Sequence, residues 1–421
     1  MQEQEKDIYV AVDFGSNGLK AMMAKKTEDG RLDILGVENH SDAKKYVKRG
    51  VVENHSHLAF CLSSALKKMK NRDEMSNLQF TRFYTGVSGQ SLTTRFFQQQ
   101  KTFDVETEIT AEVLSSVEKE MKVNIQTEEK FEVLEIHFYS FLLDGQFVAN
   151  PIGQICKTLQ VCFFVVGNAN QLKFRLQEVI PRIQLESTMY TLPFLLGHMA
   201  LPNDAKEEGC VLIDFGAETI SLTIFKDNQV CFCRVLPVGN NLLIKDLEKE
   251  CNISTELAEK ILYNHFSLEQ NGQHVKLKIG ERELSKTMIW KVVATRFDEF
   301  AELICKAIDE AKYWGKLPKG IFLTGGGSLL KGIDVVLDLK TNMDIHQLSF
   351  DTLLVDDVEE KYLSPKYANL YALLSVANKN CVGQPKSSIP QSTPKGKEKK
   401  TKLMDRLQTF IGDLFIGEYR G

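Results

Sequence analysis

Two short segments carry the same apolar pattern about 200 residues apart. Residues 8–20 are Ile-Tyr-Val-Ala-Val-Asp-Phe-Gly-Ser-Asn-Gly-Leu-Lys, and residues 211–219 are Val-Leu-Ile-Asp-Phe-Gly-Ala-Glu-Thr. In each segment an apolar run ends in Asp-Phe-Gly, and small or hydroxyl residues lead into a second apolar run. This pattern predicts a β-hairpin whose tip presents one carboxylate and several free backbone N–H groups.

Such a tip is suited to binding an anion. Backbone N–H groups in a tight glycine turn form an anion-binding nest, and a carboxylate at the strand end can hold a metal ion or its waters. Two such tips indicate a duplicated domain with one nucleotide between the halves. The alternative is two ordinary hairpins, since Gly and Asp are common turn residues.

A third motif, residues 320–333, combines an apolar strand, three consecutive glycines and the start of an amphipathic helix. Three glycines cost conformational entropy and are tolerated where the backbone must approach a flat or charged group closely. We expect Ser328 to cap the following helix and to direct its N-terminus toward the ligand. A plain strand-to-helix turn would need only one glycine.

The remaining pattern alternates strands and helices. We expect strand meanders at 8–38 and 211–236, an apolar strand at 161–166, a short strand at 275–279, and helices at 58–69, 242–262, 291–314 and 367–378.

The composition changes abruptly near the C-terminus. Residues 382–402 are mostly Pro, Ser, Gly and Lys, and this predicts a flexible tether. An apolar helical stripe follows, formed by Leu403, Met404, Leu407, Phe410, Ile411, Leu414 and Phe415. This stripe suits reversible attachment to a membrane interface, and five lysines between 395 and 402 would favour anionic lipid. The alternative is a tail helix that packs on its own globular body.

The overall composition excludes several classes of protein. A chain of 421 residues suits two to four domains, and its net charge of −4 argues against nucleic-acid binding. No apolar run approaches the roughly 20 residues that span a bilayer. The polar first seven residues do not resemble a signal peptide, so a cytosolic location is expected. The nine scattered cysteines favour free thiols over a zinc site or disulfides.

Together, the three motifs resemble the phosphate 1, phosphate 2 and adenosine motifs of the actin/Hsp70/sugar-kinase superfamily. Finer features resemble the bacterial cell-division family FtsA, over roughly residues 8–378 and the C-terminal helix. They are Thr85-Gly-Val-Ser-Gly89, Ile109-Thr-Ala-Glu112, Val148-Ala-Asn-Pro-Ile-Gly153, Pro237-Val-Gly-Asn240, Asp246, Ala258-Glu259 and Thr295-Arg-Phe-Asp-Glu299.

The resemblance implies an α/β, actin-like fold: two ribonuclease H-like duplicated domains, an inserted α/β subdomain and a C-terminal amphipathic helix. The implied boundaries are 1–82, 166–204 and 341–380 for the first domain, 83–165 for the inserted subdomain (1C), 205–340 for the second domain with a helix-rich part at 240–295, 381–402 for a disordered linker, and 403–417 for the membrane helix.

The resemblance also implies the roles of site residues, with ATP and Mg²⁺ as cofactors. Asp13 and Asp214 would hold Mg²⁺ through waters, and Glu259 would bind ribose. Lys20 would pair with a phosphate oxygen, although it could also be a surface lysine at a strand end. The phosphates would lie on Gly15, Ser16, Asn17 and Gly18 and on Gly216, Ala217 and Thr219, and the adenine on Gly325, Gly326, Gly327 and Ser328.

Three positions depart from the FtsA pattern. The second tip, usually Gly-Gly-Gly-Thr, is Gly216-Ala-Glu-Thr219, which places the Glu218 carboxylate beside the anion site. Ile244 stands where Thr is usual, and Leu262 where Lys is common. We therefore expect nucleotide binding with weak ATPase activity at most.

A protein of the FtsA type is expected to polymerise and to tether the FtsZ ring to the cytoplasmic membrane face at the division site. Its partners would be the FtsZ C-terminal tail, other copies of itself, anionic lipid and, through the inserted subdomain, other division proteins. We expect the FtsZ tail near Arg282, Lys286 and Lys291; the alternative there is a solvated face balanced by nearby carboxylates.

Two other functions stay open. One is a pilus-assembly-type actin-like scaffold without a division role. The other is a small-molecule kinase of the same superfamily, which would need a catalytic carboxylate in a further acidic motif, and no such motif stands out.

Overall fold

The structure, a computed structural model, describes residues 7–70, 79–128, 130–268, 276–279 and 282–383. The described residues divide into two compact units: those within 7–93 and 170–383, and those within 94–169. The second unit therefore begins at Thr94 rather than at the expected residue 83. The reason is that the strand Arg82–Val87 pairs in parallel with Ile8–Gly15 of the first unit.

Strands and helices alternate along the described chain. The strands are β1 (Ile8–Gly15), β2 (Gly18–Lys26), β3 (Leu32–His40), β4 (Val47–Lys48), β5 (Val51–Val52), β6 (Gln79–Phe80), β7 (Arg82–Val87), β8 (Thr93–Glu108), β9 (Glu132–Leu143), β10 (Gln146–Val148), β11 (Ile155–Asn168), β12 (Glu186–Thr191), β13 (Cys210–Phe215), β14 (Ile220–Lys226), β15 (Gln229–Leu236), β16 (Lys276–Ile279), β17 (Arg282–Ser285), β18 (Ile321–Thr324), β19 (Ile345–Gln347) and β20 (Val382–Gly383). The helices are α1 (His55–Lys70), α2 (Ala111–Glu128), α3 (Leu172–Gln177), α4 (Leu192–Ala200), α5 (Asn203–Glu208), α6 (Asn240–Cys251), α7 (Thr255–Lys260), α8 (Lys286–Glu310), α9 (Ile333–Thr341) and α10 (Ala368–Val376).

The first unit contains the same sheet topology twice. In its first half the strand order is β12-β7-β1-β2-β3, and in its second half β15-β14-β13-β18-β19. In both halves three antiparallel strands form a meander, and two further strands add in parallel beside its first strand. The duplication expected from the repeated Asp-Phe-Gly segments is therefore present in the fold.

The core of the second half fixes the position of the second tip. Phe215 is fully buried and its ring packs against Phe297 and Phe300 of α8, with centroids 6.0 and 5.8 Å apart. Helix α8 begins five residues before the expected Lys291, because the Ser285 hydroxyl accepts a hydrogen bond from the Met288 N–H and caps it. The buried ring anchors the Asp-Phe-Gly turn and leaves the Asp214 carboxylate at its edge.

The second unit is a sheet with strand order β10-β9-β11-β8 that packs on α2. Its core is apolar and partly aromatic: Leu114 and Val117 of α2 pack with Phe138 and Phe163 of the sheet.

The chain beyond α10 is described only as far as Gly383. Val382 pairs with Phe80, so β20 extends two residues into the segment expected to be a tether. Along the described part of the chain, no helix combines the length and apolar character needed to cross a bilayer. The seven apolar residues of the expected membrane helix lie outside the described residues.

Candidate functional site

The two hairpin tips line one cleft in the first unit, with a volume of about 320 Å³. Most of the residues expected at a nucleotide lie in its wall: Asp13, Gly15, Ser16, Asn17, Lys20, Asp214, Gly216, Ala217, Thr219, Glu259, Gly325 and Gly326. The structure places Gly18, Gly327 and Ser328 outside this lining.

The first tip is a tight hairpin in which β1 and β2 pair to their ends. This register sets Asp13 opposite Lys20, and Lys20 Nζ lies 3.7 Å from Asp13 Oδ2. Gly18 has a φ of +127°, and a Cβ there would lie 2.9 Å from the His40 carbonyl oxygen. Gly18 is thus needed to close the turn, and the cleft is lined by the residues before it.

The second tip rests on the beginning of α6. The N–H groups of Asn240 and Asn241 donate to the carbonyl oxygens of Gly216 and Ala217, at 3.2 and 2.8 Å. The Glu218 carboxylate lines the cleft and accepts a hydrogen bond from the Arg49 N–H of the first half at 2.8 Å. The residue that departs from the family pattern therefore bridges the two halves.

The glycine cluster separates into residues with different roles. Gly325 has a φ of +82°, and a Cβ there would lie 2.3 Å from Asp214 Oδ1 and 2.7 Å from the Phe215 carbonyl oxygen. The same atom on Gly326 would meet only the Lys366 Cβ, at 4.0 Å. Gly325 therefore allows the close approach to Asp214, whereas Gly326 leaves open space at the cleft.

The expectation that Ser328 caps the next helix is wrong. Gly326–Leu329 forms a 3-10 turn, and the Ser328 hydroxyl donates to the Gly325 carbonyl oxygen at 2.8 Å. Helix α9 starts only at Ile333, after Gly332 takes a left-handed conformation with a φ of +81°. Ser328 therefore stabilises the glycine turn through its hydrogen bond to Gly325.

The Asp214 carboxyl group has an unusual electrostatic environment. Burial, and then the charge of Asp13, raise its pKa to about 6. The Asn369 amide opposes this shift, since its Nδ2 donates to Asp214 Oδ2 at 3.3 Å, and the charge of Lys20 opposes it further. Asn369 belongs to α10 of the first half, and its Oδ1 is buried without a hydrogen-bond partner among the described residues.

A second polar group lies where α6 and α7 meet the cleft. Asn240 Nδ2 donates to the Tyr263 hydroxyl at 2.9 Å, and both residues line the cleft with Glu259. Burial raises the pKa of Tyr263. Glu259 lies on α7, which Ser254 caps by accepting from the Leu257 N–H at 3.4 Å. The sequence predicted Glu259 here but missed Asn240 and Tyr263.

The donors present fit a magnesium ion bound through water. Within the described ranges, no three His, Cys, Asp or Glu side chains come together as a metal site. Mg²⁺ keeps several waters and is typically held by one or two carboxylates together with phosphate oxygens. Asp13, Asp214 and the unpartnered Asn369 oxygen provide three oxygen groups suited to accept hydrogen bonds from such waters.

The residues expected to bind the FtsZ tail lie away from the cleft lining. Arg282 is in β17, Lys286 opens α8, and Lys291 is exposed on α8. In the hairpin of β16 and β17, Lys276 Nζ lies 2.8 Å from Glu283 Oε2, so part of the positive charge of this hairpin is balanced. All nine cysteines are free thiols, as predicted.

Comparison with known proteins agrees with this geometry. The family model described as cell division protein FtsA matches residues 211–372. A cell division protein FtsA of Porphyromonas gingivalis is 27% identical over 331 residues, covering 76% of this chain and 68% of the relative. One of Neisseria meningitidis is 23% identical over 434 residues, covering 99% and 100%.

Among solved structures, a chain of the PilM-PilN type IV pilus biogenesis complex superimposes with a TM-score of 0.63 at 14% identity, covering 88% of this chain and 99% of that one. This likeness and the duplicated sheets around one cleft show an actin-like fold. The family match and the named relatives are more specific, and they show that the chain is similar to FtsA cell-division proteins.

Proposed function

We propose that this protein binds ATP–Mg²⁺ in the cleft, polymerises, and tethers the FtsZ ring to the cytoplasmic face of the membrane through its C-terminal segment. The observation that carries the nucleotide part is the convergence of both tips and both carboxylates on one cleft. Similarity to FtsA cell-division proteins supports the rest.

The phosphates fit between the two tips. Backbone N–H groups of tight turns attract anions, and the tips supply them from both sides of the cleft. Lys20 adds a positive charge next to Asp13. Bound Mg²⁺ would neutralise phosphate charge, with Asp13, Asp214 and Asn369 orienting its waters.

Hydrolysis is expected to be slow. Phosphoryl transfer depends on positive charge placed around the phosphates. Of the described residues that line the cleft, the cationic ones are Lys20 and Lys366, and Lys20 already faces Asp13. Glu218 and Glu259 add negative charge to the same lining.

The nucleotide part is tested by calorimetric titration of ATP in the presence of Mg²⁺ or EDTA. We expect Mg²⁺-dependent binding that is lost in Asp13→Ala while the fold is retained, as judged by circular dichroism. Equal ATP affinity of Asp13→Ala and the parent protein would contradict the assignment of the cleft.

Membrane attachment is assigned to residues 403–416. The similarity to the Neisseria relative covers 99% of this chain, so it extends into this segment. Phe410→Asp places a charge within the apolar stripe and should abolish co-sedimentation with anionic liposomes. Thr409→Asp puts the same charge on the polar side of the expected helix and is the matched control.

If Phe410→Asp lowers the melting temperature by several degrees, the tail packs on its own domain and the membrane assignment fails. If Phe410→Asp still co-sediments like Thr409→Asp, the stripe is not the membrane contact. An FtsZ tail peptide added to bound protein tests the tether, and retention of the peptide on the liposomes is the expected result.

A further inference from the structure

Asn240 has an amide oxygen that the folded chain leaves unpaired. It is the first residue of α6, its side chain is only 4% exposed, and it lines the cleft. Its Nδ2 donates to the Tyr263 hydroxyl, whereas its Oδ1 is buried without a hydrogen-bond partner among the described residues.

The Asn240 amide lies between Tyr263 and Gly327. On one side, the Tyr263 hydroxyl accepts a hydrogen bond from Asn240 Nδ2 at 2.9 Å. On the other side lies Gly327, where a Cβ would come within 2.6 Å of Asn240 Nδ2 and 2.8 Å of its Oδ1. The glycine thus leaves room for the amide, and the end of the amide that faces away from the phenol is left without a partner among the described residues.

A buried acceptor without a donor is costly, and folded proteins rarely leave one unsatisfied. Because Oδ1 belongs to a side chain in the cleft wall, a hydrogen-bond donor on a bound ligand can satisfy it. Glu259 offers a second acceptor in the same lining, near Tyr263. Two acceptors in one cleft lining suit a ligand that carries more than one hydroxyl group.

Resting on the proposed nucleotide function, we propose that Asn240 accepts a hydrogen bond from a ribose hydroxyl of the bound nucleotide. The site then distinguishes ribonucleotides from deoxyribonucleotides. Removing the hydroxyl leaves the buried oxygen unpaired in the complex, and sites built to bind a hydroxyl reject analogues that lack it.

The test is calorimetric titration of the full chain with Mg²⁺ and ATP, 2′-deoxy-ATP or 3′-deoxy-ATP. We expect at least one deoxy analogue to bind about tenfold more weakly than ATP, as for the loss of one hydrogen bond to a buried group. In Asn240→Ala, ATP should weaken to the level of that analogue and the discrimination should vanish. Lys245→Ala, on an exposed position of the same helix, is the control and should keep it.

Tyr263→Phe provides a second variant that keeps the amide but frees its Nδ2. It should reduce the discrimination with a smaller loss of ATP affinity. Equal binding of all three nucleotides by the parent protein would overturn the inference while leaving nucleotide binding intact. So would discrimination that persists in Asn240→Ala, whereas failure of ATP itself to bind would refute the proposed function instead.

Discussion

The two hairpins share a topology but place their carboxylates in opposite environments. In the first, the strand register sets Asp13 opposite Lys20, whose ammonium group lies 3.7 Å away. In the second, the equivalent register sets Asp214 opposite Ser221, whose hydroxyl lies 3.2 Å from that of Ser88 in the first half. The duplicated scaffold therefore yields two half-buried carboxylates, one that is ion-paired and one that has a raised pKa.

In the first half, Lys20 of the same hairpin balances the charge of Asp13. In the second half, Asp214 depends on a residue from a distant part of the chain for its hydrogen bond. Asp214 receives its hydrogen bond from Asn369 on the closing helix, 155 residues later. Its surroundings favour the protonated form, and a nearby cation such as Mg²⁺ would favour the ionised form. The second carboxylate is thus the one more sensitive to metal and pH.

The largest loss of stability is expected from substitution of Gly325, which lies against Asp214. Gly325→Ala places a Cβ 2.3 Å from Asp214 Oδ1 at a φ of +82°, and we expect a loss of at least about 3 kcal/mol of stability. Gly15→Ala beside the first carboxylate would make ordinary contacts of 3.4 and 3.8 Å. Urea unfolding of both variants checks this, and similar losses would remove the asymmetry.

Replacing the carboxylates one at a time should separate them further. Ionised Asp214 is disfavoured in the folded state, so Asp214→Asn should stabilise the protein at pH 7.5 without Mg²⁺ and nucleotide. The gain should be on the order of 1 to 3 kcal/mol, from a pKa raised to about 6. Asp13→Asn leaves Lys20 unpaired and should be neutral or slightly destabilising.

The sign of the pH dependence follows from the raised pKa. Below about pH 4 Asp214 is protonated in both the folded and unfolded states, and its penalty is absent. Between pH 4 and 6 the unfolded chain releases this proton first, so the parent protein loses stability relative to Asp214→Asn as the pH rises. Urea unfolding at pH 4.5 and 7.5 measures this, and a gap that does not widen with pH would contradict the assignment.

A smaller effect is expected from the cation of the first hairpin. Lys20→Met keeps most of the apolar stem and removes the charge beside Asp13. The pair is partly exposed, so we expect a stability change of less than about 1 kcal/mol but several-fold weaker ATP binding. Calorimetry with Lys25→Met, a lysine of the same strand outside the cleft lining, supplies the control.

The smallest effect should come from the contact between the tips and residues 49–50. Glu218→Gln keeps an acceptor for the Arg49 N–H but removes the charge, so stability should change by less than about 1 kcal/mol. If the negative charge hinders phosphates, ATP affinity or phosphate release should rise modestly. Unchanged values in both measurements would show that Glu218 only joins the halves.

The hairpins and the glycine turn could be predicted from sequence because their signals are local. The Asp-Phe-Gly turns, flanked by apolar runs, place Asp13 and Asp214 without knowledge of the rest of the fold. Asn369 and the Arg49 partner of Glu218 could not be found this way, since they come from positions 155 and 169 residues distant. Their contacts depend on how the two halves pack.

The Ser328 error has a local cause. A hydroxyl residue before an apolar run resembles a helix cap, but the left-handed Gly332 delays α9 to Ile333. Asn240 belongs to the Pro237-Val-Gly-Asn240 motif, but its contact with Tyr263, 23 residues later, depends on how α6 packs against the segment after α7.

The hydrogen bond from Asn369 to Asp214 holds the two halves of the first unit together. The repulsion between Asp13 and Asp214 acts between the same two halves in the opposite sense. Separating the halves would relieve the Asp13 repulsion, one of the two main causes of the raised pKa, and would lose the weaker opposing effects of the Asn369 amide and the Lys20 charge. Opening of the cleft should therefore release a proton near pH 6. The heat of Mg²⁺–nucleotide binding would then depend on the ionisation enthalpy of the buffer, because cleft closure favours the protonated Asp214 whereas the bound cation favours its ionised form.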